Sequence, residues 1–375
     1  MRKEINGSTR IMDRKMLETY SDYLIASTSL TTATGLSRLV GGSLSHDKVT
    51  RFLAESRTDS AMLWTLVKPM VRDIQSQAGD AGVIIFDDTI IEKPYTDENA
   101  IICWHYDHCT GRNVKGINLL TGLYHRNGVS VPVAFEAISK TVSYIDRKGR
   151  LRRTTAISKN EYLRGMLRQC LENGLNARYV LADTWYSCAE SMCYIKEQME
   201  LDFLMPLKSN RKVALSQAAK KRGEYVAIES LTLEEHATTR VYLSEVDFAV
   251  LLCKVVFKNG DGTRGVLYLA TSDLTLNSEQ ITTIYKKRWT VEQYHQSLKG
   301  NASIAKSPAK RIQTQKAHLL AALYAFVKLE RISAKLSRNH HELKSAIYFH
   351  GLQSALEKLH QLQAKARFKP MSCVR

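Results

Sequence analysis

The sequence predicts an α/β protein: a mixed sheet flanked by helices, with a β-rich insertion and a helical N-terminal region. Three observations predict it. Residues 9–75 carry apolar residues at helical spacing. Between 79 and 200, apolar runs of strand length surround one well-capped helix. Residues 201–270 are mainly strand-like (FLMPL, RVYLSEV, FAVLLCKVVF, GVLYLAT), after which the chain is helical to near its end.

In the first region, TATGLSRLVGGSLSHDKVTRFLAES holds two short helical runs split by Gly41, Gly42 and Ser43, the second starting near Ser45 or His46. A helix-turn-helix fits this pattern, with a second helix over about 47–55 presenting Lys48 and Arg51 to a DNA groove. An ordinary glycine-joined helix pair fits it equally. Next, Val83–Phe86 reads as a buried strand running into Asp87, Asp88 and Thr89. Residues 115–138 read as a hairpin, because Asn127-Gly128 between two apolar runs is a strong turn signal. Ser158 opens a helix that Gly174 closes, and Tyr179–Ala182 is a strand ending in Asp183. The expected divisions are 1–78, then 79–200 together with 271–335, an insertion over 201–270, and a basic helical tail over 336–375.

At 375 residues, 44% hydrophobic and 24% charged, the chain has the composition of an ordinary globular protein large enough for two or three domains. No apolar run reaches the length of about 18 residues needed to span a membrane, and the first fifteen residues lack a secretory apolar core. A cytoplasmic protein with reduced thiols is expected. The seven cysteines form no zinc pattern of paired CxxC motifs, although Cys103, His105, His108 and Cys109 leave a metal site open as a minor alternative. The formal net charge is +17, and +13 of it falls between Leu276 and Arg375, where 18 Lys and Arg face five Glu. That balance points to a polyanion, most simply nucleic acid, with anionic membrane the weaker choice. KSPAKRIQTQKAH, 306–318, could track a DNA backbone or form a solvated loop.

Asp87 and Asp183 each sit just past an apolar strand, where a sheet fixes the backbone and the following loop opens a site. Downstream, YKKRWTVEQYHQSLK places Tyr285, Arg288, Glu292 and Lys299 at helical offsets that fall within about 60° of one another. Ile284, Val291 and Leu298 repeat on the neighbouring stripe and suit packing on a core. Taken singly, these residues are turn formers, caps or an i,i+4 surface pair. Together, two aspartates and a glutamate on rigid elements suit two hard divalent ions, Mg²⁺ or Mn²⁺, of the kind that drive phosphoryl transfer. Trp289, beside this face, reads as a core residue.

The pattern Y-x-x-R-x-x-x-E-x-x-x-x-x-x-K from Tyr285 to Lys299 resembles the signature of bacterial insertion-sequence DDE transposases of the family-four group. FDDT at 86–89 is similar to that family's first-aspartate strand (Asp-x-Thr), and VLADTWYS at 180–187 to its second. Asp183 follows Asp87 by 96 residues and Glu292 follows by a further 109, the long second gap matching the group's β-strand insertion. The resemblance implies an RNase H-like catalytic domain with Asp87, Asp183 and Glu292 as a metal-binding triad; Asp88 is the second choice for the first position. It further implies Tyr285, Arg288 and Lys299 on DNA phosphates, two Mg²⁺ or Mn²⁺ ions, double-stranded DNA ends and target as substrate, and a homodimer in a synaptic complex near the nucleoid. Some relatives cleave through a hairpin and stack a flipped base on an insertion aromatic, often Trp. Between Tyr186 and Arg288 this chain has only Tyr and Phe, such as Tyr225 and Tyr242, so that chemistry lacks support. The alternatives are a nuclease of the same fold that hydrolyses DNA without joining strands, and an inactive DNA-binding derivative.

Overall fold

The computed structural model describes residues 13–367, less 57, 108, 109, 259 and 261. The N-terminal twelve residues, His108, Cys109 and Cys373, on which the leader and metal expectations partly rested, lie outside the described residues. Four helices come first: α1 (Arg14–Ala26), α2 (Ala33–Leu39), α3 (His46–Glu55) and α4 (Ser60–Ser76). Each starts on a side-chain cap, with Asp13, Thr32, Ser45 and Asp59 accepting from the backbone N–H three residues on. Gly41 and Gly42 turn the chain between α2 and α3 at φ of +62° and +79°, the left-handed region that glycine adopts without strain.

The sheet begins with β1 (Gly82–Glu92), β2 (Ile102–Asp107), β3 (Arg112–Arg126) and β4 (Val129–Ala137). β3 is long enough to serve three neighbours. One edge pairs antiparallel with β1; on the other, its first half pairs with β2 and its second half with β4. Asn127 and Gly128, both at positive φ, form the two-residue turn into β4 that the Asn-Gly signal predicted. A separate two-stranded ribbon, β5 (Val142–Ile145) and β6 (Leu151–Thr154), follows. Next comes α5 (Lys159–Glu172), with a Ser158–Glu161 capping box at its start and Gly174 at φ +74° beyond its end.

β7 (Ala177–Ala182) runs parallel to β1, and beyond the short α6 (Ala189–Cys193), β8 (Asp202–Leu207) runs parallel to β7. The strands β4–β3–β1–β7–β8 thus carry the order three-two-one-four-five of an RNase H-like sheet. β8 falls inside the stretch expected as insertion but belongs to this parallel core. After it come β9 (Lys212–Ala214), α7 (Gln217–Lys221), β10 (Val226–Ala227), β11 (Thr238–Leu243), β12 (Ala249–Lys258) and β13 (Arg264–Thr271). β13 pairs antiparallel with β8, so β9–β13 extend the same sheet to eleven strands rather than forming a second layer.

Four helices complete the described chain: α8 (Ser278–Lys286), α9 (Thr290–Gly300), α10 (Ile312–Leu336) and α11 (His340–Arg367). From Ala317 to Val327, α10 is buried on all sides, packed by α1, α3, α4 and β4 into one continuous core. A helix apolar all round is what such a central position requires. No helix among the described residues is long and apolar enough to cross a membrane.

One crowded point is testable. Gly116 on β3 lies opposite both Glu92 and Cys103, and a Cβ there would stand 2.4 Å from the Ile91 carbonyl oxygen. Backbone cannot yield as a side chain can. Gly116→Ala is therefore expected to lower stability by about 1–3 kcal/mol, read as a fall in the urea midpoint.

Candidate active site

β1 holds Asp87 and Asp88 mid-strand, not past its end: the ladder to β3 continues through Glu92. This corrects the expectation, which took the end of the apolar run for the end of the strand; the chain runs on because Thr89 and Ile91 are buried in turn. Phe86 faces Ala182, the last residue of β7, so Asp183 comes next in line beside Asp87. Successive strand residues point to opposite faces. Asp87 and Asp88 accordingly meet different partners.

Asp88 is saturated. Its Oδ2 accepts from the Asn118 amide at 2.6 Å and the Lys159 ammonium at 2.7 Å, and its Oδ1 from the Tyr186 hydroxyl at 2.5 Å. Burial pushes its carboxyl up, but the charge and hydrogen bond of Lys159 outweigh that and hold it below the ordinary value. Asp87 is mostly buried, with the backbone N–H of Asp88 on its Oδ1. Burial, and then the negative charge of Asp183, push its carboxyl up to about 7. Asp183 is pushed up as well, chiefly by burial. Its Oδ1 also accepts from the Trp185 N–H at 2.9 Å, so it caps the short 3₁₀ turn Thr184–Tyr186 while facing Asp87. The cap and the site are two uses of one side chain.

The signature segment was expected as one continuous helix. Instead α8 and α9 are joined by a 3₁₀ turn over Lys287–Trp289, which tightens the backbone at Arg288. The Arg288 guanidinium lies 3.7 Å from Asp87 Oδ2 and 3.7 Å from Glu292 Oε1, and 5.7 Å from the ring centre of Tyr285. Its Nε is buried without a hydrogen-bond partner. Burial raises the Tyr285 hydroxyl pKa against the opposing charge of Arg288. Val291 and Leu298 are fully buried and Ile284 packs on the same core, which aims this side of the helix pair at β1.

The structure thus brings Asp87, Asp183, Arg288, Glu292 and Tyr285 into one place. Lys299 lies exposed in the last turn of α9, and Lys48 and Arg51 lie exposed on α3. Of the 306–318 stretch, Lys310 and Arg311 are exposed, while Lys306 reaches the Ser27 and Thr28 carbonyls. Trp289 is 63% exposed rather than in the core, since the 3₁₀ turn swings it off the apolar stripe. Lys159, Asn118 and Tyr186 were not singled out from sequence. Only Tyr186 carried a signal there, as the tyrosine closely following Asp183.

Two half-buried, adjacent carboxylates, both pushed up chiefly by burial, Asp87 further by the charge of Asp183 and Asp183 by that of Asp88, fit a hard divalent cation, because oxygen ligands suit it and its charge removes the repulsion. Glu292 is separated from Asp87 by the guanidinium. Among the described residues no three His, Cys, Asp or Glu side chains stand close enough to hold a metal ion without rearrangement. The Cys103 thiol donates to the Asn99 carbonyl.

A family model described as a DDE superfamily endonuclease matches residues 6–225, a span that includes Asp87, Asp88 and Asp183 and stops short of Arg288 and Glu292. Among solved structures, the Drosophila P element transposase strand transfer complex matches at 13% identity and a TM-score of 0.26, over 94% of this chain and 65% of that chain. At that score the likeness is too slight to argue from. No curated protein matches the chain.

Proposed function

The chain belongs to the DDE superfamily of endonucleases, and on that premise we propose that it is a DNA transposase, which cuts at the ends of a mobile element and joins the freed 3′-hydroxyls to target DNA. One observation carries the reading: Asp87 on β1 and Asp183, the residue just past the end of the neighbouring parallel strand β7, lie half-buried side by side with raised carboxyl pKa values, Asp87 next to Arg288. In this reading Asp87, Asp183 and Glu292 hold two Mg²⁺ or Mn²⁺ ions. When bound, the ions supply positive charge to the attacking and leaving oxygens of the phosphodiester.

The chain's own residues position the DNA. Arg288, backed by the Tyr285 ring, has a buried Nε without a partner and a single nitrogen, Nη1, shared between the Asp87 and Glu292 carboxylates. It is placed to swing from Asp87 and Glu292 onto a phosphate, which accepts a guanidinium fork in the same way. That movement would release Glu292 to join the aspartates. Lys299 adds charge farther on, in the last turn of α9, and Lys48 and Arg51 on α3 contact the element's end. The protein acts as a homodimer holding two ends together.

The test is Mg²⁺-dependent nicking and joining of a labelled duplex bearing the element's ends. Glu292→Gln is expected to reduce cleavage about a thousandfold or more, equivalent to about 4 kcal/mol of barrier, with duplex affinity within about threefold of wild type. Binding that collapses in step with cleavage would make Glu292 structural and the assignment wrong. Nicking without joining would replace the transposase reading with a hydrolytic nuclease.

A further inference from the structure

Between β4 and α5 the chain leaves the body to form the β5–β6 ribbon. Its two strands pair only with each other, and all eight of their residues are exposed. A lone two-stranded ribbon is marginal in water and gains stability when it packs against another surface. We propose that this ribbon is a DNA-binding arm that enters a groove of the duplex beside the carboxylates. The proposal rests on the transposase reading and adds to it a contact region outside the signature helices and α3.

The tip is built to hold its shape. Asp146 Oδ1 accepts from the backbone N–H groups of Lys148 and Arg150, and its Oδ2 accepts from the Nε atoms of Arg150 and Arg152. Gly149, at φ +73°, closes the turn by donating to the Asp146 carbonyl. A single carboxylate thus orders the tip and fans out the basic residues around it.

Charge selects the partner. Lys140, Arg147, Lys148, Arg150, Arg152 and Arg153 face one acid, Asp146, so the segment is strongly cationic. Ile145 and Leu151, paired across the strands, are 72% and 73% exposed, and Tyr144 stands exposed opposite Arg152. Solvation alone would not favour that apolar surface. A cationic ribbon with an apolar tip meets both requirements of a DNA groove: charge for the phosphates on its walls and apolar contact for base edges on its floor. A two-stranded ribbon has the width the major groove admits.

Position points the same way. At the root, the Lys140 N–H bonds the Ala100 carbonyl and its Nζ bonds the Trp104 carbonyl on β2. Five residues beyond Thr154, Lys159 reaches Asp88, the neighbour of Asp87. The ribbon is therefore tethered at both ends to the part of the sheet that carries Asp87, through β2 at one root and through Lys159 and Asp88 at the other. An anionic bilayer also attracts basic and apolar residues together, but it offers no reason for the ribbon to be rooted at this site.

The experiment measures binding of the full chain to a labelled duplex of arbitrary sequence, without divalent ions, over a series of salt concentrations. Wild type is compared with the double variant Arg147→Ala, Lys148→Ala, whose side chains are exposed at the tip. The slope of log affinity against log salt is expected to flatten by about 1.8, for two lost phosphate contacts, with binding about tenfold or more weaker at low salt. Ile145→Ser with Leu151→Ser is expected to weaken binding while leaving the slope alone. An unchanged slope in the double variant, with wild type binding normally, overturns the arm and leaves the transposase reading standing. Wild type that shows no salt-dependent duplex binding overturns both. Duplex binding untouched, with loss of binding to phosphatidylserine-containing vesicles, overturns the proposal in favour of a membrane contact.

Discussion

Asp87→Asn is expected to reduce cleavage about a thousandfold or more and, at the same time, to make the metal-free protein more stable above pH 7. The first effect follows from losing a charged ligand at the centre of the proposed metal site. The second follows from linkage. Burial, then the charge of Asp183, raise the folded-state carboxyl to about 7 from an ordinary value of 3.8. The folded state thus binds the proton more tightly than the unfolded state. Stability falls as pH rises from about 4 to about 7, and above that the full cost is present. A shift of roughly three units corresponds to up to about 4 kcal/mol. Asparagine stays neutral and escapes the cost. Urea unfolding in EDTA at pH 5 and pH 8 should show wild type weakening between the two, and the variant weakening much less. Mg²⁺ at pH 8 should raise the melting temperature of wild type and leave the variant nearly unmoved. If both proteins respond alike to pH and to Mg²⁺, Asp87 is neither strained nor a ligand.

The neighbouring aspartate should behave in the opposite way. Asp88→Ala is expected to cost about 3–5 kcal/mol, enough to unfold a marginal protein, because it strands a partly buried Lys159 ammonium along with the Tyr186 hydroxyl and the Asn118 amide. Asp88→Asn keeps one acceptor oxygen for these donors and should cost less. The carboxyl of Asp88 is held below its ordinary value, so its contribution is present above about pH 4 and is lost as the solution becomes more acidic. The pair of variants also settles the register of the first aspartate. Cleavage per folded molecule should survive Asp88→Asn and not Asp87→Asn; the reverse would move the catalytic role by one residue and sink the present assignment.

Much of this was legible in the chain because the signals are local. Ser45 and Ser158 cap helices through side chains three residues from their targets, and Asn127-Gly128 supplies the positive φ a two-residue hairpin demands. The apolar runs 83–86 and 179–182 became adjacent parallel strands, which set Asp87 beside Asp183. The seven-residue stripe of Ile284, Val291 and Leu298 packs on the core as its spacing predicts.

Other features arise from pairing and packing that no local pattern encodes. Whether Asp87 or Asp88 faces Arg288 depends on the pleat of β1, and β1 extends to Glu92 only because β3 is there to pair with it. The 3₁₀ turn at Lys287–Trp289 breaks an ideal helical repeat, places Arg288 between Asp87 and Glu292, and leaves Trp289 exposed. Lys159 reaches Asp88 across seventy-one residues of chain. The sequence by itself determined the α/β class, the order of the elements and the set of chemically able side chains, since capping, turn geometry and apolar period act over a few residues. Tertiary structure alone decided which aspartate is saturated and which is strained, how far the sheet runs and where the basic ribbon stands, since burial and charge pairing depend on neighbours distant in the chain.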